Sequence, residues 1–291
     1  MIKKLLLLNL LLILTILGYS QNTLLWKVTN KNNNNTSYIY GTLHLFGYSF
    51  INNYPIITEK LKESNLVITE TDTDRQKLRD FLNKRTSTDD LKKIVSNEDY
   101  EYLKKILNDK WVDISKYTST EILLKLRGIT PKIKCSVLHH TDTLLMDEYI
   151  NNLSDSLNIK KDYFETGKEQ LDLVENTNLY SWSVLKKVIS PTIKLLKSDK
   201  DNEKYCDFVN QYSNFDLNYM LDKSSSKGGS SLLNNPILLK DRNDKWVKKL
   251  IEKFNSNNCF VGVGLFHLYF ESGLISQLKK LGYTIEPVKM N

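Results

Sequence analysis

The chain has little of what usually marks a metal or redox site: three cysteines and four histidines in 291 residues. An odd cysteine count allows at most one intramolecular disulfide and leaves a free thiol. Cys135, Cys206 and Cys259 also lack the close spacing of a thiolate metal site. Cys259 lies inside the apolar run Cys259-Phe260-Val261 and is expected to be the free, buried one. A dense cationic block is missing too. The formal charge is +7, but the lysines are mixed with acidic residues as on solvated helix faces, so nucleic acid is not an expected partner.

No run is long enough to span a bilayer. Leu5 to Leu17 offers about 13 apolar residues where roughly 20 are needed. It follows Lys3 and Lys4 and precedes Gly18-Tyr19-Ser20, the layout of a secretory signal peptide. The absence of a cysteine near that junction argues against a lipoprotein. Residues 1–20 are therefore expected to be removed near Ser20, giving an exported, periplasmic or secreted chain. Loss of Lys3 and Lys4 takes the charge from +7 to +5. Residues 21–291 then form one domain without a stable membrane span, ample for a core.

What the chain does have is a repeated hexapeptide. Gly41-Thr42-Leu43-His44-Leu45-Phe46 and Gly264-Leu265-Phe266-His267-Leu268-Tyr269 share the form Gly-x-x-His-Leu-aromatic. Each follows a stretch that reads as a buried strand. Glycine at a strand end permits close backbone approach and releases the chain into a turn. The histidine then projects at the carboxyl edge of a sheet, where α/β folds collect their sites. His139-His140 has no matched partner and reads as exposed and uninvolved.

Around these motifs the pattern is α/β. Strands are expected at Leu24 to Thr29, Tyr38 to Leu43 and Leu66 to Glu70, with a helix at Ile57 to Ser64. Strand, helix and returning strand favour a partly parallel sheet. Residues 73–255 read as a largely helical insertion, including Asp89 to Val95, Asp99 to Asp109, Ser119 to Arg127 and Thr143 to Leu157. Lys161 to Thr166 is a candidate short strand within it. Arg242 to Phe254 is a helix leading into the second histidine strand, and Tyr283 to Val288 is the final strand. The expected architecture is a mixed central sheet built from both chain ends, flanked by the helical insertion.

Glu70-Thr71-Asp72 ends an apolar strand, a costly place for carboxylates unless a cation meets them. Two histidines and one carboxylate are a common set for a catalytic divalent ion with an open position for water. His44, His267 and Glu70 are thus the candidate ligands. Glu70 or Glu165 is the candidate general base. Arg242 would hold a substrate carboxylate or stabilise an oxyanion. The same cleft could serve a non-catalytic protein that sequesters a peptide, metal or haem.

These residues resemble the TraB/GumN family, which includes Tiki-type membrane-tethered proteases and plasmid pheromone-shutdown proteins. The likeness rests on Gly41 to His44, Gly264 to His267, Glu70-Thr71-Asp72, Phe164-Glu165-Thr166 with Gln170, Arg242-Asn243 with Trp246, and Leu281-Gly282-Tyr283. It implies a core of two related halves akin to the erythromycin-esterase and ChaN-like group (EreA/ChaN-like). It also implies metal-dependent cleavage of a peptide or protein substrate, with manganese (Mn2+) or cobalt (Co2+) favoured and zinc (Zn2+) compatible. Gly41, Gly264, Asp72 and Asn243 enter as supporting motif positions. Tyr269-Phe270-Glu271 departs from the small or Pro-Gly turn that often follows the second histidine.

Overall fold

The computed structural model describes residues 22–30, 35–72, 75–107, 112–138, 142–176, 180–198, 203–224 and 237–290. The expected signal peptide and the pair His139-His140 lie outside them.

Strands β1 (Leu25–Thr29) and β2 (Thr36–Thr42) pair antiparallel. The chain then runs through helices α1 (Tyr48–Asn52) and α2 (Pro55–Lys62) into β3 (Leu66–Thr71). Pro55 begins α2, where its missing N–H costs nothing. Much later come β4 (Lys160–Glu165), β5 (Cys259–Gly264) and β6 (Thr284–Pro287). They join in the order β4-β3-β5-β2-β1-β6. Strands β4, β3, β5 and β2 are mutually parallel, and β1 is reversed, pairing antiparallel with both β2 and β6. The apolar Cys259-Phe260-Val261 run belongs at the centre because a parallel strand covered on both faces has no wet side.

The sheet is mixed and drawn mainly from both ends of the chain, as the pattern predicts. The middle of the chain contributes its edge strand, β4. Between β3 and β5 lie helices α3 (Arg75–Asn83), α4 (Asn97–Ile106), α5 (Ser119–Lys134), α6 (Met146–Ser156), α7 (Gly167–Asn176), α8 (Trp182–Lys197), α9 (Glu203–Ser213) and α10 (Lys240–Ser256). Helix α11 (Leu274–Lys280) precedes β6. A capping box starts α5: Thr118 Oγ1 accepts from Glu121 N (3.2 Å), and Glu121 Oε2 accepts from Thr118 N (2.8 Å).

Two apolar cores result. One surrounds the sheet, and the other joins Leu103, Ile122, Leu126, Leu185 and Ile189 within the helical insertion. Asp89 to Val95 is a correction to the helical reading. It forms turns, with isolated bonds such as Lys93 N to Asp89 O (3.1 Å).

Cys135, at the end of α5, is bonded to Cys206 on α9, with Cα atoms 5.5 Å apart. Cys259 is the free, buried thiol. A disulfide suits an oxidising compartment. Among the described residues, no helix is long and apolar enough to cross a membrane.

Candidate functional site

The four parallel strands finish on one edge, and each end delivers a candidate residue. Glu165 closes β4 and Glu70 lies one residue from the end of β3. His267 sits in the short turn Leu265–Leu268 after β5, and His44 lies two residues beyond β2. Strands β2 and β5 are neighbours, with Thr42 opposite Gly264, so the two histidine motifs lie side by side. Their glycines have a steric reason. A Cβ on Gly41 would come within 2.7 Å of Leu265 Cδ1, and one on Gly264 within 3.0 Å of Glu70 Oε1.

Arg242, in the first turn of α10, ties three of these ends together. Its Nη2 donates to Glu70 Oε2 (2.7 Å) and to Glu165 Oε1, while Nε donates to Glu165 Oε2 (3.1 Å). Its Nη1 reaches His267 Nε2 (3.0 Å) and donates to Leu238 O (3.1 Å). The guanidinium lies 4.4 Å from the centre of the Trp246 ring, which itself stacks on Phe164 at 4.6 Å. Such a buried cluster persists only because nearly every donor has an acceptor.

Glu70 also accepts from Gly264 N (2.7 Å) and from Gln170 Nε2 (3.3 Å). Burial alone would raise its pKa. His267, Arg242, His44 and the Gly264 N–H outweigh that effect and hold it at about 2, so the carboxyl stays ionised.

His267 is 3% exposed, and its ring nitrogens are assigned by their partners. The Asn243 side chain, 1% exposed, donates through Nδ2 to His267 O (3.2 Å) and Ser272 O (2.9 Å). Its Oδ1 is therefore turned to accept from His267 Nδ1 at 2.6 Å. The proton sits on Nδ1, and Nε2 keeps its lone pair towards Arg242 and Glu70 Oε1 (3.6 Å). Burial first, then the charges of Arg242 and His44, push this imidazole down to about 3 against the pull of Glu70.

His44 is a different case, with its side chain 64% exposed. Its Nε2 lies 2.9 Å from Asp147 Oδ2, and Thr42 Oγ1 donates to Asp147 Oδ1 (3.0 Å). Asp147 raises the pKa of this imidazole above the ordinary histidine value. Asp147 is not among the residues that the sequence pattern singles out. Met146-Asp147-Glu148 opens α6, and acids in a first helical turn are explained by the helix dipole alone.

Beside these groups is a cavity of about 490 Å³ whose wall includes His44, Glu70, Asp147 and Gln170. Glu165, Arg242 and His267 are not part of that wall. Asp72 also stands apart, accepting from Gly167 N (3.2 Å) at the start of α7. Thus His44, His267, Glu70, Glu165, Arg242 and Asn243 come together, whereas Asp72 links β3 to α7.

Each histidine is anchored through one nitrogen on a side-chain oxygen, the outer arrangement that metal-binding imidazoles use, but Nε2 of His267 is already engaged by Arg242 Nη1 (3.0 Å). Among the described residues, no three His, Cys, Asp or Glu side chains already converge as a ligand cage.

The model of the TraB/PrgY/gumN family matches residues 24–287, and the chain belongs to that family. Neither a curated protein nor a solved structure matches it.

Proposed function

We propose that this member of the TraB/PrgY/gumN family is an exported, divalent-metal-dependent hydrolase that cleaves peptides or protein segments. The observation that carries the reading is the delivery of His44, His267, Glu70 and Glu165 by four parallel strand ends beside one cavity. His267 Nε2, the Glu70 carboxylate and His44, through the nitrogen that Asp147 leaves free, would hold the ion. Manganese or cobalt is favoured by the family resemblance, and zinc suits the same donors. When bound, such an ion polarises a carbonyl and lowers the pKa of a water.

The chain's own residues set the rest. Asn243 fixes the His267 tautomer. Glu165 uses both oxygens on Arg242, so it anchors the arginine and is poorly placed as a base. Arg242 keeps Glu70 ionised. A carboxylate held near a pKa of 2 is a weak proton acceptor, so Glu70 orients and binds. Asp147, paired with His44 on the cavity wall, orients that imidazole.

A second reading is a protein that binds peptide without turnover. It is favoured by Arg242, which already satisfies Glu70, Glu165 and His267. The deciding experiment strips the chain with chelator and adds back manganese, cobalt or zinc. Peptide cleavage and melting temperature are followed with His44→Ala/His267→Ala alongside. Cleavage restored by one metal and lost in the variant supports the hydrolase. A metal-dependent rise in melting temperature without cleavage supports a binding protein, and no response to any metal refutes the hydrolase and makes both histidines structural.

A further inference from the structure

A second cavity, of about 440 Å³, lies next to the first. The two share Thr71, Leu78, Gln170 and Leu171, so one partition is exposed on both sides. On the first side are Glu70 and His44, with Leu82, Leu124 and Leu145. On the other, Phe81 and Gly167 face the partition. Gln170 links the partition to the chemistry by donating to Glu70 Oε2 (3.3 Å). A pouch with such walls selects by apolar burial, and two of them joined at Gln170 can be bridged by a continuous chain.

We propose that the ligand of this cleft is a linear peptide with two bulky apolar side chains, one in each pouch, and that the pouch beyond Gln170 is a separate specificity site. The proposal rests on the hydrolase reading for turnover, while its binding part stands without it. Gly167 keeps the second pouch open. A Cβ there would meet only Thr71 Oγ1 at 3.8 Å and Asp72 Oδ1 at 3.9 Å, ordinary contacts, and the backbone is not left-handed. A longer side chain at this position would project towards residues that line the second pouch. Phe81 acts from the facing wall, where truncation would enlarge the same space.

The test uses fluorescein-labelled peptides carrying two phenylalanines at varied spacing, with matched peptides having alanine at the first, the second or both positions. Binding is read by fluorescence polarisation, and cleavage by chromatography with manganese or cobalt present. Each phenylalanine is expected to improve binding on the order of tenfold to a hundredfold over alanine. Gly167→Leu should abolish the advantage at one position only and leave the doubly alanine-substituted peptide unaffected. Phe81→Ala, which adds nothing at the start of α7, should shift the preference at that same position towards tryptophan. If both variants keep the wild-type preferences, or if phenylalanine gives no advantage, the proposal is overturned. Selective binding without cleavage would leave the pouches in place and remove the hydrolase reading. Cleavage indifferent to side chain would do the reverse.

Discussion

Replacing Asn243 with leucine tests whether the His267 tautomer is imposed from outside the ring. The substitution keeps side-chain size roughly constant and removes three hydrogen bonds, to His267 Nδ1, His267 O and Ser272 O. The two carbonyl bonds are worth about 1 kcal/mol each, and an unpaired buried N–H costs about 1–3 kcal/mol, giving a loss of about 3–5 kcal/mol. At this chain length that corresponds to roughly 8 °C in melting temperature. Asn243→Asp retains an acceptor for Nδ1–H and loses only the two donations, at the added cost of a buried charge. Urea denaturation measures the loss, and nitrogen NMR of the imidazole reports the tautomer. The aspartate variant should keep the proton on Nδ1, and in the leucine variant only the Arg242 donation to Nε2 still favours it. A leucine variant that loses less than about 1 kcal/mol would refute the assignment.

Arg242→Ala leaves Glu70 and Glu165 without their shared counter-charge, and chemical denaturation should register a loss of about 3–5 kcal/mol. The buried His267 should make the fold acid-labile. Its folded pKa, about 3, lies below its unfolded value near 6.5, so the unfolded chain takes up a proton first and stability falls as pH drops through that window. Glu70, held near 2 instead of 4.5, adds to the loss at the acid end, and His267→Gln should flatten the slope between pH 6.5 and 3. Reducing the Cys135–Cys206 bond, which spans 71 residues, should cost about 4 kcal/mol, seen as a lower urea midpoint with reductant.

The motif spacing made His44, His267 and Glu70 legible because glycine, strand end and histidine sit within a few residues of one another. The free thiol was legible for a similar local reason, since Cys259 lies in an unbroken apolar strand. Asp147 was not, because its partners Thr42 and His44 are more than a hundred residues away and its own neighbourhood reads as an ordinary helix start. Glu165 was legible as a candidate beside Glu70, but its partner was not, because only the fold reveals that both its oxygens pair with Arg242. Helix α8 falls within the stretch read as largely helical and carries Pro191 on an exposed face.

The place of β5 in the sheet has a temporal meaning. It joins the β4-β3 pair to the β2-β1-β6 group, yet it is the second-to-last strand to be synthesised. Until it arrives, a growing chain holds two unjoined pieces of sheet, with His44 on one and Glu70 on the other. Pairing across some 220 residues closes late in folding, because distant partners must first pay their loop entropy. The cluster that brings His44 and Glu70 together therefore cannot form on a nascent chain that still lacks β5.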